Sequence, residues 1–97
     1  MLMELWGCDV WIVFSDHAFK RVDDRNIVME LIPDSIKSVE EELGDVKINN
    51  DFVIINTFAN ITIVGTFEKQ NKIVIKTIVD KGDNFIPKEN DIIIKIS

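Results

Sequence analysis

Residues 52–79 read FVIINTF-AN-ITIVGTF-EKQN-KIVIKTIV, and this stretch decides the fold. Three runs rich in Ile, Val, Thr and Phe (52–58, 61–67 and 72–79) are joined by Ala59-Asn60 and by residues 68–71. Stiff β-branched side chains suit a pleated surface, and joins this short predict hairpins. Alternation puts Ile61, Ile63, Gly65 and Phe67, then Ile73, Ile75, Thr77 and Val79, on one face. Thr62, Thr66, Lys72 and Lys76 belong to the other. Gly65 inside a strand marks a bulge or a close backbone approach. The expectation is an antiparallel β-meander.

Outward from the meander, residues 10–14 (VWIVF) form a short apolar run, read as a strand. Ser15 and Asp16 are good N-caps, and HAFKRVDD (17–24) then reads as a helix. At helical spacing Ala18, Phe19 and Val22 share the inward side, and His17, Lys20, Arg21, Asp24 and Arg25 share the outward side. Residues 26–32 (NIVMELI) fit a loop or an extra helical turn equally well. A second helix follows Pro33: Asp34 or Ser35 caps it, Ile36, Val39 and Leu43 recur at helical spacing, and Gly44 stops it. Glu40, Glu41 and Glu42 read as a solvated acidic face. Residues 81–84 (KGDN) signal a turn, and 92–96 (IIIKI) a last strand. If that strand lies at a sheet edge, its unpaired backbone groups offer a homodimer contact. The order predicts an α+β two-layer fold: one strand, two helices, then an antiparallel β-meander of three to four strands.

Composition narrows the function classes. Ninety-seven residues predict a single domain, with 1–9 as an N-terminal extension, 10–80 as the core and 81–97 as a C-terminal turn and strand. The single cysteine, Cys8, excludes an internal disulfide framework and reads as inert, since no cation stands near it in sequence. No apolar run reaches membrane-helix length, and Glu4 stands where a signal peptide wants positive charge, so a cytoplasmic location without membrane contact is expected. Trp6 and Trp11 read as core or edge packing, with an exposed self-association patch as the alternative. The net charge of −6 repels polyanions on average.

The chain's only histidine and both of its arginines fall in HAFKRVDDR, residues 17–25. His17, Arg21 and Arg25 stand at i, i+4 and i+8, a ladder along one helix face. Lysine is the surface cation everywhere else, whereas arginine's planar fork matches phosphate or carboxylate oxygens. His17 is then the candidate proton acceptor. The ladder also admits a purely structural reading, with Arg21 and Arg25 in exposed ion pairs to neighbouring carboxylates.

A strand followed by His-Ala-x-x-Arg-x-x-x-Arg, a second helix and a β-meander resembles a family of small domains grouped with the RelE-like toxin superfamily. Residues 15–27 (SDHAFKRVDDRNI) resemble its opening motif, and KIVIKTIV its later strand, with Thr77 as that strand's threonine. The resemblance implies a metal-independent ribonuclease without cofactors, acting on messenger RNA and partnered by a cognate antitoxin. In that chemistry a 2′-hydroxyl attacks the adjacent phosphate and His17 takes its proton. Arg21 and Arg25 stabilise the phosphorane. Lys20 or Lys76 adds positive charge or protonates the leaving oxygen, with Thr77 beside the substrate.

The alternative is a non-catalytic acidic protein-binding module or inhibitor, of the phage or mobile-element type, that binds a basic protein. Asp23, Asp24, Glu40, Glu41, Glu42, Asp45 and Asp51 supply its surface charge. Local charge discriminates the two readings. An unopposed positive cleft around Arg21 favours the enzyme; arginines neutralised by neighbouring Asp favour the binding module.

Overall fold

A computed structural model describes residues 1–80 and 92–96. The strands are β1 (Leu2–Leu5), β2 (Cys8–Phe14), β3 (Asp51–Asn56), β4 (Ile61–Lys69), β5 (Lys72–Val79) and β6 (Ile92–Ile96). Three short helices, α1 (Asp16–Asp24), α2 (Leu31–Ser38) and α3 (Glu40–Leu43), lie between β2 and β3. The expected turn at 81–84 falls outside the described residues.

The six strands form one sheet in the order β1-β2-β5-β4-β3-β6. Pairing is antiparallel for β1/β2, β3/β4 and β4/β5, but parallel for β2/β5 and β3/β6. This corrects the expected α+β meander to a mixed α/β sheet. The reason lies in long-range pairing: β2 lies beside β5, which comes after the helices and two further strands. Parallel neighbours need a long crossover, and residues 15–50 carry the helices that make it. Residues 2–5 join the sheet as β1 through a two-residue turn. Trp6 and Gly7 both have positive φ, 55° and 74°, the geometry of a type I′ hairpin.

One face of the sheet carries all three helices. Val10, Ile12, Phe52, Ile54, Ile63, Ile73, Ile75 and Ile78 project from it, and Ala18, Val22, Ile32, Ile36 and Leu43 meet them from the helices. Burial of this apolar surface is the main driving force for the fold. Strand β3 is buried on both faces, because Val53 and Ile55 join Val64 in a second cluster on the far side. Gly65 opens the space that Phe52 fills: a Cβ there would stand 2.7 Å from Phe52 Cζ.

The register of β5 shifts opposite this glycine. Gly65 faces Ile75 and Val64 faces Thr77, so Lys76 is an extra residue, a β-bulge. Alternation therefore restarts at Ile78, which is buried in the core, and Thr77 turns to the far face with Val64. The placement of Thr77 and Val79 beside Ile75 is corrected by this one residue.

The helices depart from expectation in two places. Phe19 is 60% exposed rather than inward, and its ring is edge-to-face with that of Phe14, at 6.5 Å between ring centres. The second helix starts at Leu31, with Pro33 in its first turn, where a missing N–H costs nothing. It breaks at Val39, whose φ of −116° is not helical. Ser35 and Ser38 donate back to Leu31 O and Asp34 O, at 2.6 and 2.8 Å, a pattern that bends helices rather than capping them. Buried Ser35 also accepts from Asn56 Nδ2 at 2.9 Å. No described helix is long and apolar enough to cross a membrane.

Candidate functional site

Helix α1 is positioned by its first residues. Ser15 Oγ accepts from Ala18 N at 3.0 Å and donates to Lys76 O at 2.8 Å, while Ser15 N donates to Ile75 O at 2.9 Å. The N-cap thus fastens the helix to the bulge of β5. Ala18 and Val22 are buried against the sheet. His17, Lys20, Arg21, Asp24 and Arg25 therefore point away from it and surround a depression of about 350 Å³.

Among the described residues, all five lining side chains come from α1 and its C-cap Arg25, and no second element walls the depression. Electrostatic catalysis depends on preorganised groups in a site that excludes water, and no described residue outside α1 and its cap covers these five. Asp24 lies among the cations, and Arg25 Nη1 is held by Asp80 Oδ1 at 2.7 Å. Neither Arg21 nor His17 takes part in an ion pair among the described residues.

Lys76 and Thr77 are elsewhere. Lys76 Nζ pairs with Asp51 Oδ2 at 2.8 Å, and Thr77 stands opposite Val64. Asp51 precedes Phe52, whose ring is in the helix-side core, so its carboxylate is on the other face. The sheet itself separates Lys76 and Thr77 from His17, Lys20, Arg21 and Arg25. The structure brings the α1 ladder together and does not join it to the strand residues.

A larger recess, about 720 Å³, opens at the hairpin end of the molecule. Trp6, Cys8, Leu43, Lys47, Phe67 and Asn71 are among its walls. Trp6 is its corner. A left-handed conformation costs a side-chain-bearing residue on the order of 1 kcal/mol. Two contacts to α3 oppose that cost: Trp6 Nε1 donates to Glu40 O at 2.7 Å, and Trp6 N to Glu40 Oε2 at 3.1 Å. The Trp6 N–H, with the nearby Lys37 ammonium, holds the Glu40 carboxyl below its ordinary value. Glu40 is thus a tether rather than part of a solvated acidic face. Its signal in the sequence was Trp6-Gly7 between two alternating segments, a hairpin turn that places an aromatic ring beside the following helices. Among the described residues no cluster of three His, Cys, Asp or Glu side chains is arranged to hold a metal ion.

No family model and no curated protein matches the sequence, and no solved structure matches the fold.

Proposed function

We propose that this chain is a non-catalytic acidic module that binds a basic protein partner. The observation that carries this reading is the division of the candidate cations by the sheet. Lys76 and Thr77 lie on one side, the His17 ladder lies on the other, and Arg25 and Lys76 are each neutralised by an aspartate. General acid–base chemistry needs its groups within hydrogen-bond reach of one reacting centre. The ribonuclease reading retains only His17, Lys20 and Arg21, on an open helix face, in a chain of net charge −6. Phosphate neutralisation by Lys and Arg, the main source of RNA affinity, is correspondingly weak.

Induced expression of the wild type beside His17→Ala and Arg21→Ala, scored for growth and RNA integrity, tests this. The binding module leaves all three cultures equal. RNA cleavage by the wild type that both substitutions abolish contradicts it and assigns the α1 ladder as a nuclease site.

A further inference from the structure

We infer that the open face of β1 and β2, centred on Trp11, docks a cationic, extended segment of the basic partner; this rests on the binding-module reading above. On the face opposite the helices, Leu2 and Trp11 are direct cross-strand partners, with 48% and 52% of their surface exposed. Val13 is 40% exposed and extends the strip toward its β5 neighbour Val74. Apolar residues scattered singly need no explanation, but a contiguous aromatic and aliphatic strip marks an interaction site.

The neighbouring charges select the occupant. Glu4 and Asp9 are also direct partners, one step along from Leu2 and Trp11 on the same face. Met1 and Ile12 exchange both backbone hydrogen bonds, 3.1 and 2.7 Å. By alternation Glu4 and Asp9 form a non-hydrogen-bonded pair, where Cα atoms approach to about 4.5 Å. Like charges directly opposed destabilise a sheet, and no ion pair among the described residues relieves these two. Lys72, the β5 partner of Trp11, is already bound to Glu68 at 2.9 Å.

A second copy of the chain would bring the same carboxylates together, and a polyanion would be repelled by them. A cationic segment satisfies both features. Asp9 and Trp11 are two residues apart on β2, about 7 Å. An extended peptide with basic side chains at alternate positions has the same repeat. One cation then sits over the Trp11 indole, the next sits between Glu4 and Asp9, and the aliphatic stems of these basic side chains cover Leu2 and Val13. The segment lies across the face rather than adding a strand at the β1 edge, because Lys37 Nζ already donates to Glu4 O there at 3.1 Å.

Calorimetric titration of the full chain with a short capped peptide alternating Arg and Val tests the surface. Controls are the same peptide with Glu for Arg and a single-stranded RNA of equal length. The expected result is saturable, salt-sensitive binding of the Arg peptide alone. Trp11→Ser, and separately the pair Glu4→Gln and Asp9→Asn, weaken it roughly tenfold each, while Arg21→Ala leaves it unchanged. Binding that none of these substitutions on β1 and β2 alters overturns the docking surface and leaves the basic-partner reading standing. Failure of the wild type to bind the Arg peptide, or tighter binding of the RNA, overturns both.

Discussion

The two faces of the sheet use the same residue types to opposite ends. On the helix side Ile12, Phe52, Ile73 and Ile75 are fully or almost fully enclosed, and even the missing side chain of Gly65 is used, by the Phe52 ring. On the other side, one residue away along β2, Trp11 and Val13 are about half exposed and flanked by carboxylates. Alternation on one strand thus delivers Ile12 to the core and its neighbours to solvent. The helix side accounts for why the chain folds. On the far side Val53, Ile55 and Val64 are buried as well, but its β1–β2 part is open. The apolar side chains of Leu2, Trp11 and Val13 there are ones that folding alone does not require.

The sharpest way to break the comparison is at Phe52. Phe52→Ala empties the space beside Gly65 and Phe67 and is expected to cost about 3–5 kcal/mol in denaturant unfolding, with an unchanged m-value. Gly65→Ala attacks the same contact from the opposite side. A Cβ 2.7 Å from Phe52 Cζ and 3.2 Å from Val74 O overpacks the core, at an expected about 1–3 kcal/mol. In the double variant Gly65→Ala with Phe52→Leu the two costs fall short of their sum, because the shorter side chain makes room for the methyl group.

A smaller effect belongs to the Glu40 tether, and its signature is pH. The Trp6 N–H and Lys37 lower the Glu40 pKa in the folded chain relative to the ordinary value of 4.5. Ionised Glu40 therefore contributes stability above that value, and the contribution is lost as pH falls through the lowered folded value. Glu40→Gln is expected to be less stable than the wild type at neutral pH, with the two curves converging in acid. Curves that stay parallel across that range would remove the tether's electrostatic part. The smallest effects belong to exposed side chains. Arg25→Ala breaks a pair with both side chains 41% exposed, and is expected to shift stability by less than about 1 kcal/mol. Trp11→Ser is expected to stay within about 0.5 kcal/mol, in contrast to its effect on peptide binding.

Local features were legible in the sequence and long-range ones were not. The Ser15 cap, the α1 ladder, the three β-rich runs and the close approach at Gly65 each follow from residues near one another in the chain. The pairing of β2 with β5 depends on which apolar run finds which across the helices, and periodicity carries no partner identity. The Lys76 bulge is one extra residue, yet it moves Thr77 from the core side to the far side and removes it from the α1 ladder. Trp6 in a left-handed turn runs against local preference, and Glu40, 34 residues away, offsets the cost. The structure divides the candidate residues between the two faces for the same reason: the helix half was read from local spacing, and the strand half needed the register.

The two tryptophans give the most direct test of the division between the faces. Trp11 lies on the open face, whereas the Trp6 indole N–H is bonded to Glu40 O on the helix side. In nitrogen-15 correlation spectra, titration with the Arg-and-Val peptide should move the Trp11 indole resonance and leave those of Trp6 and of the His17 and Arg21 amides in place. Movement of the His17 and Arg21 signals with a stationary Trp11 would put recognition on α1 and contradict the assignment of the open face.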